Sequence, residues 1–317
     1  MKIIVGIDIS KATIDAFMTG GKARSFANSR AGFGQLLKWS KGAELYVMEA
    51  TGAYHFALAD HLHGAGQKIS VVNPRMASHY AKALGLCHKT DQVDARVLAL
   101  YAERNDVPSY VPESAHLRRL KKLARHRERM VADSSGLKRL LKGPELDDFE
   151  ASQLKARLKF IKAQITKLEQ EIYRLIADHE ELSRSFALLL TIPGLGAITG
   201  LCLLAEAGDM GRFGSAKQLA SFAGVHPKLR QSGTSLRCRP RMSKLGSSSL
   251  RKALYMSALA AARHEGPCRS LFLRLIERGH SRMSALGAVM HKQLRIAFGV
   301  CSGKRPFSLE RTGLTTQ

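Results

Sequence analysis

KIIVGIDI, residues 2–9, is a short apolar run rich in β-branched residues, and it predicts a buried strand that carries one acid, Asp8. Working outward, TIDAFMTGG and GKARSFA, within residues 13–27, predict a hairpin that turns across Gly20-Gly21. Residues 31–41 have a helical pattern, and ELYVMEATG (44–52) predicts a second buried strand ending in small residues. A helix is expected over 55–66, a strand in KISVVNP (68–74) stopped by Pro74, and helices over 75–84 and 91–104. Strands separated by helices imply an α/β layer fold with some parallel pairing over residues 1–110.

The pattern changes beyond that point. Leu154, Leu158, Ile161, Ile165, Leu168, Ile172 and Leu175 alternate steps of four and three, which is a heptad seam. The basic segment 114–141 is helical with a ragged seam, and Gly143-Pro144 separates the two. Residues 111–185 therefore predict an αα-hairpin or coiled-coil arm, serving as spacer or dimerisation element. Residues 186–317 predict a mostly helical part, interrupted by the arginine-rich loop PKLRQSGTSLRCRPRMSKLGSSS (227–249).

Charge narrows the function. The 317 residues carry a formal charge of +24, and residues 186–317 hold 20 Lys/Arg against 5 Asp/Glu. That excess suits a polyanionic partner, nucleic acid above all. Five cysteines, odd in number and without a CxxC, argue against a disulfide framework or zinc knuckle and for a reducing compartment. The uncharged stretch 186–205 is long enough for a membrane span, but Pro193, Gly194, Gly196 and Gly200 interrupt it. A turn between two buried helices is the expectation, with no membrane association. Pro193-Gly194-Leu195-Gly196 reads as that turn, or as a hairpin whose N–H groups hold a phosphate.

In so basic a chain, single acids merit attention. Asp8 lies in the first strand, Glu49 ends the second, and Asp91 and Asp94 stand three apart at the start of a helix. Carboxylates at strand ends beside carboxylates at a helix N-terminus can converge, and convergence is unfavourable unless a cation neutralises it. Two Mg²⁺ ions roughly 4 Å apart would do so and would serve phosphoryl chemistry. Plain roles remain open: a turn cap for Asp8, a lysine pair for Glu49, an N-cap for Asp91, and a favourable helix-dipole charge for Asp94. Arg230, Arg237, Arg239, Arg241 and Lys244 crowd a segment without acids and are candidate phosphate contacts. Ser232 lies among them, although several serines nearby compete for attention.

GIDISK, MEATG, KTDQVDA, TIPGLGAITG, AGVHP, RQSGTSLR and GSSSLRKALYM, in that order, resemble the IS110-type insertion-sequence transposases. The resemblance implies an RNase H-like (RuvC-like) N-terminal domain over 1–110, a coiled-coil arm over 111–185 and a C-terminal transposase domain over 186–317. It carries a DEDD metal set onto Asp8, Glu49, Asp91 and Asp94, with Mg²⁺ as cofactor, and a nucleophilic serine onto Ser232. It further implies double-stranded donor and target DNA as substrates and a structured guide (bridge) RNA from the element. It implies a homo-oligomer, dimer or tetramer, with acids from one subunit and serine from another, acting in the prokaryotic cytoplasm at the nucleoid. Rival readings are a RuvC-like junction nuclease using water, a catalytically inactive nucleic-acid-binding protein, and an actin-like kinase suggested by GIDIS alone.

Overall fold

A computed structural model describes residues 2–50, 52, 54–85, 91–232 and 236–309, with the backbone alone for Asp91, 229–232 and 236–240. The chain divides into two compact units, Met1–Glu113 and Ser114–Gln317.

The first unit is built on strands β1 (Ile4–Ile9), β2 (Thr13–Met18), β3 (Lys22–Ala27), β4 (Leu45–Glu49) and β5 (Ile69–Val72), ordered β3-β2-β1-β4-β5. β1–β2 and β2–β3 pair antiparallel, whereas β1–β4 and β4–β5 pair parallel. Helices α1 (Arg30–Trp39), α2 (His55–Gly64), α3 (Pro74–Ala83) and α4 (Asp91–Arg104) cover the sheet. Residue parity along β1 decides which helix lies where, because successive side chains leave opposite faces. Val5, Ile7 and Ile9 share a core with Phe33 and Leu36 of α1 and Leu58 and Leu62 of α2. Ile4 shares the other with Val47, Val72, Ala77 of α3, and Leu98, Ala99 and Ala102 of α4. A mixed sheet with helices on both faces is compatible with the RNase H-like expectation.

In the second unit, α5 (Ala115–Leu140) and α6 (Asp148–Ala177) pack along each other. The Asp147 side chain caps α6 by accepting from Glu150 N–H at 2.7 Å. The α6 heptad residues are its half-buried to buried positions, down to Ile172 at 0% exposure. On α5 the matching stripe runs through Leu120, Leu123, Arg127, Met130, Ser134 and Leu137. It looks ragged in sequence because Arg127 and Ser134 occupy seam positions, and Arg127 meets Glu169 of α6 at 2.6 Å.

The remainder comprises α7 (Glu180–Leu190), α8 (Ala197–Ala207), α9 (Ala216–Ala223), strands β6 (Pro227–Ser232) and β7 (Leu236–Met242), α10 (Ser248–Ala261), α11 (Pro267–Glu277) and α12 (Arg282–Ser302). One expectation is corrected here. The arginine-rich segment is an antiparallel hairpin, not a loop, with Ser232 opposite Leu236 and Lys228 opposite Arg241. Leu236 to Met242 alternates arginine with Leu, Cys, Pro and Met, a period-two signal that the abundance of charge conceals. Helix α11 begins at Gly266-Pro267, with glycine at the N-cap and proline at the first helical position.

The stretch 186–205 is divided between α7 and α8, and among the described residues no helix is long and apolar enough to cross a membrane. Its turn is a packing device. Gly194 has φ +79°, and a Cβ there would lie 2.5 Å from Ala261 Cα on α10. Its carbonyl accepts from Ser257 Oγ at 2.8 Å, and Ser257 Oγ accepts from buried Gln293 Nε2 at 2.8 Å. The carbonyl and close approach of this turn are thus used inside the core.

Candidate active site

The first unit sets its acids by register. β1 and β4 pair from Ile4 with Leu45 to Ile7 with Met48, so one step further Asp8 stands beside Glu49. Neighbouring strands lie about 4.8 Å apart, and residues in register share a face. The face is that of Ile4 and Val47, where α4 packs. Both acids occupy the carboxyl ends of parallel strands, where open α/β sheets usually bind ligands.

Gly6 fixes how α4 approaches them. A Cβ on Gly6 would lie 2.0 Å from the Ala95 carbonyl oxygen and 2.5 Å from Ala99 N, so only glycine lets α4 lie this close on β1. Ile4 clusters with Leu98, Ala99 and Ala102, while Gly6 meets Ala95 and Ala99, so α4 runs against the direction of β1. Its first turn therefore lies toward the Asp8 end of the strand. Asp94 immediately precedes Ala95 and is half-buried. Asp91 opens the helix one turn before Ala95.

The turn after Asp8 is tied down locally. Ser10 Oγ accepts from Thr13 N at 2.9 Å, and Asn28 Nδ2 donates to Ser10 O at 2.8 Å. Beyond Glu49, Ala50 N still donates to Val72 O at 3.1 Å, so pairing persists past the acid.

A further acid lies in the same row as Asp8 and Glu49. Asp15 of β2 is the direct partner of Asp8, and Ser25 of β3, the partner of Asp15, donates a short hydrogen bond to its carboxylate. Across the sheet the row reads Glu49, Asp8, Asp15, Ser25. The sequence reading passed over Asp15, although the pairing of Ile9 with Ile14 around the Ser10 turn would have put it opposite Asp8. Like charges directly opposite each other are unfavourable and favour a bound cation. Among the described residues, however, no three His, Cys, Asp or Glu side chains are close enough to hold a metal ion. The side chain of Asp91 lies outside that description.

Ser232 is the last residue of β6, directly before 233–235, which lie outside the described residues. For Arg230, Ser232, Arg237 and Arg239 the description stops at the backbone of the hairpin. Arg241 and Lys244 are exposed at its foot. Lys244 has φ +55°, a strained conformation for a side chain-bearing residue, and its N–H donates to Gly224 O at 3.0 Å. Strain of this kind concentrates at functional sites.

The described thiols are poor nucleophiles. Burial, with Glu206 and Glu128 nearby, pushes Cys202 up to about 12. Burial likewise pushes Cys268 and Cys301 up to about 11.

Two family models match the chain. One for IS110-type DEDD transposases covers residues 5–144, and the one described as "Transposase IS116/IS110/IS902 family" covers residues 186–274. A "Pilin gene-inverting protein" of Moraxella lacunata is 34% identical over 96% of this chain and 98% of its own length. The protein of the same description from Moraxella bovis is 33% identical over the same shares. A "Transposase for insertion sequence element IS1328" of Yersinia enterocolitica is 22% identical over 96% of this chain and 98% of its own length. DEDD transposases bind and process DNA and are generally dependent on a divalent metal. With both models matched in order and a relative at 34% identity across nearly the whole length, the chain belongs to the IS110/IS116 transposase family.

Proposed function

We propose that this transposase cleaves and rejoins DNA strands of an IS110-type element through a covalent phosphoserine intermediate at Ser232, with Mg²⁺ held by Asp8, Glu49, Asp91 and Asp94. The observation that carries the reading is the close crossing at Gly6. It brings the first turn of α4, with Asp94, toward the strand ends that hold Asp8 and Glu49. The all-oxygen donor set fits a hard divalent cation. When bound, that cation supplies Lewis-acid polarisation of the scissile phosphate and offsets its developing charge.

The chain's own groups do the rest. The Ser232 hydroxyl loses its proton and attacks phosphorus. A P–O bond to the serine forms as the bond to the 3′ or 5′ oxygen of the sugar breaks, and that oxygen leaves with the proton. Attack by the hydroxyl of another strand on the phosphoserine reverses the step and joins the strands without net hydrolysis. Arg230, Arg237, Arg239, Arg241 and Lys244 hold backbone phosphates around the reacting one and stabilise charge in the transition state.

The same reading assigns catalysis to residues 1–110, an oligomerising coiled-coil arm to 111–185 and the serine chemistry to 186–317. It has the protein act as a dimer or tetramer in the prokaryotic cytoplasm, on donor and target DNA, guided by a structured RNA of the element. The heptad seam of α6 supports the arm, and the charge of the C-terminal part supports the nucleic-acid partners.

The test is a denaturing gel of protein incubated with labelled element DNA and Mg²⁺. Wild type gives a protease-sensitive covalent adduct. Ser232→Ala gives none and keeps DNA binding within about 3-fold, a change below roughly 1 kcal/mol. Strand joining by Ser232→Ala overturns the serine role, and cleavage without any adduct identifies water as the nucleophile.

A further inference from the structure

The second unit contains a cleft of about 1030 Å³ between the end of β7, α11 and α12. Five cations line it: Arg241 and Lys244 from the foot of the hairpin, Arg274 from α11, and Lys292 and Arg295 from α12. No acid lines it, and none of the five has an ion-pair partner among the described residues. Its apolar surface comes from Met242, Pro267, Leu271 and Met283. Gly287 opens the wall: a Cβ there would touch Met242 Cε at 3.4 Å.

Size and chemistry select the occupant. The volume is at the upper end of the roughly 300–1,000 Å³ typical of sites for drug-sized molecules, enough for a few nucleotides of one strand and too small to enclose a duplex. Five unopposed cations suit a phosphodiester backbone. Thioethers such as Met242 and Met283 make favourable contacts with aromatic rings, which an unpaired base offers and a stacked one largely hides. His291 in the wall adds a polar group rather than a sixth charge. Burial, then Arg295 and His226, push its pKa down, which favours the neutral ring, able to hydrogen-bond a base edge. The cleft continues directly from the strained Lys244 at the foot of the Ser232 hairpin.

We infer that this cleft binds an unpaired nucleic-acid strand, gripping its phosphates with Arg241, Lys244, Arg274, Lys292 and Arg295 and seating its bases on Met242 and Met283. The inference deepens the proposed function but needs no step of the serine chemistry. Its chemistry is shared by DNA opened near a cleavage point and by single-stranded RNA.

The test is equilibrium binding of full-length protein, without Mg²⁺, to labelled single-stranded DNA, single-stranded RNA of the same sequence, and blunt duplex DNA over a range of salt. Because no cleavage is read, failure of the serine mechanism leaves this measurement intact, and failure of the cleft leaves adduct formation to be judged separately. Arg274 and Arg295 are exposed, so Arg274→Glu/Arg295→Glu is compatible with folding, which circular dichroism checks. It should weaken at least one single-strand probe about 10-fold or more and lower its salt slope by about 1.4, while duplex binding changes less than about 3-fold. The probe that suffers more, DNA or RNA, identifies the source of the strand. Gly287→Leu removes no charge and strengthens the helix, yet fills the cleft. It should weaken the same probe about 5-fold or more at an unchanged salt slope. Equal loss on single strands and duplex in the charge variant, or unchanged single-strand binding by Gly287→Leu, overturns the inference.

Discussion

Gly6 carries no charge, yet it sets how closely α4 approaches the strand that bears Asp8. The absence of a side chain lets Ala95 and Ala99 of α4 rest on β1, and the helix start thereby comes to the end of the strand where Asp8 stands. Gly6→Val would drive α4 outward, since its Cβ would fall 2.0 Å from a backbone oxygen that cannot step aside alone. Overpacking of this kind costs typically about 1–3 kcal/mol. The expected outcome is a first unit whose unfolding midpoint in thermal melts falls by several degrees, with loss of strand joining even at high metal. An unchanged midpoint with full activity would remove Gly6 from the account. The sequence offered a glycine within a strand, which signals a close approach. It did not say which helix approaches, because that contact spans some ninety residues and is fixed by packing rather than local pattern. Asp8 and Glu49 were legible as acids at strand ends, whereas Asp15 was missed because its importance lies in cross-strand pairing.

At the scale of elements, local periodicity served well wherever one face is buried and the other is not. β1, the hairpin β2–β3 and α4 follow their predicted limits closely. The heptad positions of α6 form its buried stripe, and Arg127 shows why α5 was harder to read: a cation in the seam is invisible until its partner Glu169 is known. Elsewhere α5 is anchored by charge. Glu128 accepts from Ser249 Oγ and Lys252 Nζ of α10, the latter at 3.2 Å. Burial alone would raise the Glu128 carboxyl, but the bonds from Ser249 and Lys252 outweigh it and hold the pKa below the usual value. A depressed carboxyl contributes stability above its unfolded pKa and loses it as pH falls through the folded one. Glu128→Gln should therefore lower the melting temperature by roughly 2 °C at pH 7, a small effect because the pair is partly solvated. The difference from wild type should begin to shrink as pH falls below the ordinary glutamate value of about 4.3 and vanish only below the depressed folded value, where the carboxyl is protonated in both states. Melting curves at stepped pH check this, and a gap that widens on acidification contradicts it.

For the whole molecule, composition spoke first and remains consistent with the rest. A net charge of +24 concentrated beyond residue 186 anticipated a polyanionic partner, and the family match supplies DNA. Composition did not locate the charge in space. Arg274, Lys292 and Arg295 lie far from the arginine-rich hairpin in sequence, and they meet Arg241 and Lys244 only because α11 and α12 fold beside the hairpin's foot. Gly194-Leu195-Gly196 is the opposite case. A pattern suggestive of phosphate binding is used for helix packing, since the Ala261 backbone occupies the space next to Gly194. Motif chemistry alone does not decide between those uses; the neighbour across the turn does.

The central claim is that Asp8, Glu49, Asp91 and Asp94 together capture a divalent cation. Isothermal titration of Mn²⁺ or Mg²⁺ into the full-length protein tests it, with Asp8→Asn, Glu49→Gln, Asp91→Asn and Asp94→Asn compared singly. The account predicts saturable binding by wild type, loss of about 10-fold or more in affinity for each of the four, and a smaller loss for the neighbouring Asp15→Asn. Wild-type affinity retained by any two of the four variants, in protein that remains folded, would contradict it.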